Sequence, residues 1–287
     1  MNRILVITDT VANIPPDLCK SLGIVLVSLH IEIEGKSYRD AVDIDSDSIY
    51  KRMRESSVLP STSQVNPYDF LAAFESNLNP DIKTILVITL SSKLSSTYLS
   101  ALSAKQTFEE NHPLIHIEVI DSLYAAMNQG WIVIEAARRA NKGANLDKVL
   151  ERIKDISRKV KLYVVFETLE YLRRGGRIGA AAAFLGSVFH ILPIITLSPN
   201  GTVVGIARVR SKKNGFEWMK NRIKESFKPS QKLHMAVMHA DAQDEAQQLL
   251  KDIENEFPCR ESFITTLTPV MGVHTGPGLV GVSFFAE

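Results

Sequence analysis

Cysteine is scarce in this 287-residue chain: only Cys19 and Cys259 are present. They lie too far apart to form a metal-ligand or redox motif, which fits a reducing compartment and isolated buried thiols. Charge of one sign is not in surplus either, with 33 Lys and Arg against 32 Asp and Glu. No long-range field then gathers nucleic acid or anionic lipid, so a polyanion is not an expected partner. A secretory leader is also not expected, because Met1-Asn2-Arg3 runs at once into ILVITDT, with Asp9 inside the first ten residues. This start implies a cytoplasmic protein. We find no internal repeat, no low-complexity segment and one long uncharged stretch, Ile178 to Leu197. That stretch approaches the roughly 20 apolar residues a spanning helix needs. Gly179, Gly186, Ser187, His190 and Pro193 lower its hydrophobicity, and Pro193 stops a helix near Leu192. It reads as a buried helix over 180–192 followed by a hairpin around Asn200, without stable membrane insertion.

What is present is the composition of a globular chain, with 45% hydrophobic and 23% charged residues, enough for a sizeable core. The length suits two domains of ordinary size. ILVI after Arg3, IVLVSL, TILVITL and IHIEVI are short continuous apolar runs, as in strands buried on both faces. Helical patterns fill Ser46 to Glu55, Pro67 to Asn77, Ser95 to Glu110 and Ala125 to Ala140. Strands alternating with helices imply βαβ units and a mainly parallel sheet. After the charged helix NLDKVLERIKDISRK the pattern becomes more hairpin-like. The expected fold is therefore α/β with two domains, an N-terminal mainly parallel α/β/α sheet over 1–159 and a C-terminal mixed sheet over 160–287.

Several local patterns fail as chemistry. Asp43, Asp45 and Asp47 have the opening spacing of a calcium loop, but Ser48 and Arg54 stand where a Gly and a bidentate Glu belong. Capping of the following helix by Asp45 or Ser46 accounts for them better. Gly276, Gly278 and Gly281 spell a literal GxGxxG, yet Pro277 interrupts it and too few residues follow for a dinucleotide unit. A tight turn into a final strand is the reading we adopt. No phosphate-binding loop and no metal-ligand cluster appear, and no cofactor is expected. The GxSxG elbow is also absent. The serines of LSSKLSSTY and His274 still leave open a serine hydrolase acting on acyl esters as the alternative function.

Two hydroxyl-rich clusters sit where open α/β sheets place ligands, at the ends of buried strands. STSQVNP, with Thr62 and Ser63, precedes a helix, and LSSKLSSTY, with Ser92 and Ser95, follows the strand TILVIT. Each places hydroxyls and unsatisfied helix N-terminal amides together and can hold an anionic oxygen, although capping alone explains such residues in many proteins.

Six segments in order resemble the DegV family of fatty-acid-binding proteins: ITDTVANIP, TSQVNPYDF, LSSKLSSTYLSA, VIDSLYAAMNQG, ETLEYLRRGGRI and VHTGPGLVGVSF. The resemblance spans nearly the whole chain. It implies two α/β domains with an acyl-binding tunnel near their junction, and a single long-chain fatty acid as ligand. Thr62 and Ser95 correspond to the donors to the acyl carboxylate, and His274 and Thr275 to the residues near that head group. Ser96, Val65 and Met127-Asn128-Gln129 depart from the usual Gly, Pro and small serine-rich stretch, while both hydroxyl donors remain. The resemblance also implies no catalysis by this chain: it would be the carrier subunit of a fatty acid kinase, offering its ligand to a separate ATP-dependent subunit that forms an acyl phosphate. Arg173, Arg174 and Arg177 form a basic patch that suits either the docking of an acidic partner surface or a plain solvated turn. The helix over 180–192 is a plausible tunnel wall.

Overall fold

The computed structural model describes residues 3–56, 59–185 and 191–287. The chain divides into two compact units, Met1–Asp43 with Thr62–Arg158, and Ile44–Ser61 with Lys159–Glu287. The excursion Ile44–Ser61, which the sequence reading places within 1–159, groups with the second unit.

The first unit is built on four parallel strands in the spatial order Ile24–Val27, Arg3–Asp9, Ile82–Thr89, His116–Asp121. Leu86, Val87 and Ile88 in the third of these are fully buried, as continuous apolar runs require when helices cover both faces. The chain leaves Arg3–Asp9 towards one side and returns on the other. Strand order therefore reverses between Arg3–Asp9 and Ile82–Thr89, and at such a switch point the loops diverge and open a crevice. Helix Ala126–Asn141 is buried from Ala126 to Ala137, Trp131 included, and contacts both strand Arg3–Asp9 and the 3-10 turn Thr10–Ala12. Gly130 makes this approach possible: a Cβ there would stand 2.6 Å from the Ala12 carbonyl oxygen. A small sheet of Lys36–Arg39, His30–Ile33 and Ser61–Ser63 was not anticipated by the sequence reading and takes up part of STSQVNP.

The second unit carries a six-stranded mixed sheet in the order Val203–Val209, Leu192–Leu197, Lys161–Val165, Val280–Ala286, Leu233–His239, Cys259–Thr266. Its pairings are antiparallel except that of Leu233–His239 with Cys259–Thr266. Val165, Ile194, Met219, Leu233, Val280 and Phe284 belong to its core cluster. Of the helix expected over 180–192, residues 186–190 lie outside the described residues; a 3-10 helix spans Gly179–Phe184, and Leu192 and Pro193 already belong to a strand. Pro193 faces Arg208 in the hairpin pairing, whose turn closes through Gly201 N–H to Ser198 O. Among the described residues no helix is long and apolar enough to cross a membrane.

Candidate functional site

Strand Ile82–Thr89 runs out of apolar side chains at Thr89 and continues into the serine loop before helix Thr97–Asn111. The backbone of this loop is held from both sides. Asp9, at the end of the neighbouring strand, accepts the Leu90 N–H at 2.7 Å. Asp121, at the end of the strand on the other side, accepts the Ser92 N–H at 3.2 Å and the Leu123 N–H at 2.9 Å. Between them the Ser91 N–H donates to the Tyr124 carbonyl at 2.7 Å.

Ser95 is half-buried at the far end of this loop. Its hydroxyl lies 3.0 Å from that of Thr97 and accepts the Thr97 N–H at 3.3 Å. Ser96, the residue flanking the helix, makes no side-chain cap hydrogen bond, so the first helical amide is held by Ser95 instead. Thr97 is fully buried, and its hydroxyl also accepts the Val65 N–H at 3.4 Å, just beyond the strand that carries Thr62 and Ser63. One hydroxyl thus ties the two clusters that sequence reading had set side by side. Thr62, Ser63 and Ser92 are all half-buried. In the first cluster the capping role falls to Asn66, which accepts the Asp69 N–H at 3.1 Å.

Asp9 is completely buried, and burial pushes its carboxyl up to about 7, against the lowering effect of its hydrogen bonds from Leu90, Gln129 and Val11. The Gln129 amide donates to Asp9 at 3.1 Å and to the Thr8 hydroxyl at 3.0 Å. Sequence reading used Asp9 only as part of a motif and gave Thr97 and Gln129 no role. Nothing in a linear sequence marks an aspartate as buried when the helix that covers it lies about 120 residues later, as the Asp9–Gln129 pair does.

In the second unit His274 and Thr275 close the helix Pro269–Thr275, so the turn expected at HTGPG is confined to the glycines that follow. Gly276 and Gly278 both take positive φ there. Thr275 donates its hydroxyl proton to the Met271 carbonyl at 2.9 Å. His274 is pushed down to about 4 by burial and by the nearby Arg177 cation, so it is neutral at physiological pH. It stands against Gly175, where a Cβ would come within 2.3 Å of its Nδ1. The arginine patch is less free than its sequence suggests. Arg173 and Arg174 both pair with Glu170, at 2.7 and 2.6 Å, while Arg177 donates to the Gly175 carbonyl. The side chains of Arg173 and Arg174 remain exposed and that of Arg177 is half-buried, but one unit of positive charge is neutralised locally. Among the described residues no group of His, Cys, Asp and Glu has a metal-holding arrangement.

The DegV family model, described as "Uncharacterised protein, DegV family", matches residues 3–287. A DegV domain-containing protein of Caldanaerobacter subterraneus subsp. tengcongensis is 32% identical over 287 residues, covering 100% of both chains. A second, from Clostridium perfringens, is 35% identical over 282 residues and covers 98% of each. Among solved structures, one described as fatty acid binding of a DegV family protein from Thermus thermophilus has a TM-score of 0.92 at 30% identity, covering 99% of this chain and 100% of that one. DegV of Bacillus subtilis, described as a fatty acid binding protein, has a TM-score of 0.90 at 25% identity with full coverage of both chains. The chain belongs to the DegV family.

Proposed function

We propose that this DegV-family chain binds a single long-chain fatty acid, its tail enclosed in an apolar tunnel and its carboxylate oriented by the hydroxyls of Thr62 and Ser95. The observation that carries the reading is the Thr97 hydroxyl, which joins the Ser95 loop to the backbone just beyond Thr62 at the switch point of a parallel sheet. A neutral hydroxyl pair suits a carboxylate that must be oriented rather than neutralised, since each donor contributes roughly 1.5–3 kcal/mol to a charged acceptor. At about 0.8 kcal/mol per buried methylene, a palmitate-length tail of about 14 methylenes supplies on the order of 11 kcal/mol before ordering costs. The tail therefore sets affinity, and the head group sets register. Relatives described as fatty acid binding support the same ligand class. His274 and Thr275 remain head-group candidates through the family resemblance.

The same reading makes the chain a carrier that presents the carboxylate to a separate acyl kinase for acyl-phosphate formation. The exposed guanidinium groups of Arg173 and Arg174, with Arg177 beside them, supply a docking patch for an acidic surface. The chain itself then needs no catalytic residue.

The testing experiment is native mass spectrometry of the purified protein, followed by extraction and identification of bound lipid. A stoichiometric unmodified fatty acid supports the carrier. Turnover of an acyl ester that disappears in Ser95→Ala, with ligand binding intact, would establish the hydrolase instead.

A further inference from the structure

The loop that presents Ser95 begins at Leu90, and its first amides are directed to carboxylates outside the loop. Asp9 and Asp121 end the two strands flanking Ile82–Thr89, and they accept the N–H groups of Leu90 and Ser92 respectively. These two amides belong to alternate residues. The intervening Ser91 amide goes to the Tyr124 carbonyl, and the Ser91 carbonyl in turn accepts the amides of Leu94 and Ser95 at 2.9 and 3.2 Å. Fixing residues 90 to 92 therefore fixes the turn from which the Ser95 side chain projects.

Each carboxylate is itself held. Asp9 accepts Val11 N–H at 3.1 Å through one oxygen and Leu90 N–H and Gln129 Nε2 through the other, so turn, loop and helix Ala126–Asn141 converge on one buried group. Gln129 is fully buried, and its amide reaches both Asp9 and Thr8. Asp121 accepts Leu123 N–H at 2.9 Å, beside the Ser122 hydroxyl, which accepts the Tyr124 N–H at 3.0 Å. A carboxylate oxygen accepting N–H bonds is rigid and directional, and a buried amide deprived of its acceptor is costly.

We infer that Asp9 and Asp121 are positioning residues for the head-group site: together they clamp the backbone of residues 90–92 and so set where the Ser95 hydroxyl meets a bound carboxylate. This deepens the fatty-acid reading and rests on it for the ligand, but the clamp on the backbone stands without it.

A double-mutant cycle with palmitate as the probe tests the inference. Asp9→Ala and Asp121→Ala, which remove the accepting oxygens, are each made in the native chain and in Ser95→Ala, and palmitate affinity is measured for all. Each Asp variant should bind palmitate about tenfold more weakly when Ser95 is present, with little further loss when Ser95 is already alanine, because the effect travels through that hydroxyl. Equal losses in both backgrounds would mean general support of the fold and overturn the inference. Amide hydrogen exchange without ligand gives the second readout: Leu90 should exchange faster in Asp9→Ala and Ser92 faster in Asp121→Ala, with strand Ile82–Thr89 still protected. Unchanged exchange at both amides overturns it as well. Should the native protein bind no palmitate, the functional reading fails while the exchange result still judges the clamp.

Discussion

The hydroxyls of Ser95 and Thr97 lie 3.0 Å apart, and Thr97 also accepts the amide of Val65. Thr97→Val keeps the side-chain shape and removes the link. It should leave the Val65 amide without its acceptor, costing about 1–3 kcal/mol of stability, and weaken fatty-acid binding although Thr97 is itself buried. Denaturant unfolding and palmitate titration of the same preparation check both parts. Unchanged values in both would remove Thr97 from the site.

Asp9 and His274 give stability opposite dependences on pH. The Asp9 carboxyl is raised from the ordinary 3.8 to about 7, so the native state holds its proton more tightly than the unfolded chain does. That contribution is fully present below about 3.8 and is lost as pH rises through about 7. His274 is lowered from 6.5 to about 4, so its contribution is present above 6.5 and is lost as pH falls towards about 4. Relative to the native chain, Asp9→Asn should gain stability as pH rises from 4 to 7, and His274→Gln should gain as pH falls from 6.5 to 4. Thermal unfolding across that range measures this. Variant curves running parallel to the native one would show that neither group titrates as described.

Gly130→Ala tests the approach of helix Ala126–Asn141 to the turn after Asp9. The added Cβ would meet the Ala12 carbonyl oxygen at 2.6 Å and the Met127 sulfur at 2.8 Å, so one element must move. Overpacking of this kind costs about 1–3 kcal/mol. Unfolding measurements should register that loss, together with faster exchange at Leu90, whose amide depends on Asp9.

Arg173→Glu should leave fatty-acid content unchanged and lower phosphorylation of the bound ligand by a cognate acyl kinase. Glu170→Gln frees both of its arginine partners and should act in the opposite direction on kinase affinity. Lost lipid with normal kinase affinity in Arg173→Glu would reassign the patch to ligand binding.

Much of this architecture is legible in the sequence because it rests on local patterns. The runs at Ile4–Ile7 and Ile85–Ile88 are buried strands, and helices Ser46–Glu55 and Pro67–Asn77 span the expected residues. Asp45 caps its helix by accepting Ser48 N–H at 2.8 Å, the capping role read from its place before that helix. The illegible parts are non-local. Strand His30–Ile33 and its neighbours are too short to carry a periodic signal, and the excursion Ile44–Ser61 is decided by packing such as that of Tyr50 against Gly272. Likewise Thr62 and Ser95 were chosen by motif and strand-end position, whereas Thr97, Asp9 and Gln129 enter only through hydrogen bonds between distant segments.

The central claim is that the Thr62 and Ser95 hydroxyls orient the carboxylate of one bound fatty acid. Its most direct test is the fatty-acid content and affinity of Thr62→Val and Ser95→Ala beside the native chain, by native mass spectrometry and palmitate titration. The expected result is one long-chain fatty acid per native chain, with each variant folded and binding about tenfold or more weakly, in keeping with the loss of one hydrogen bond to a charged group. A native chain without fatty acid, or unchanged affinity in both variants, would contradict it.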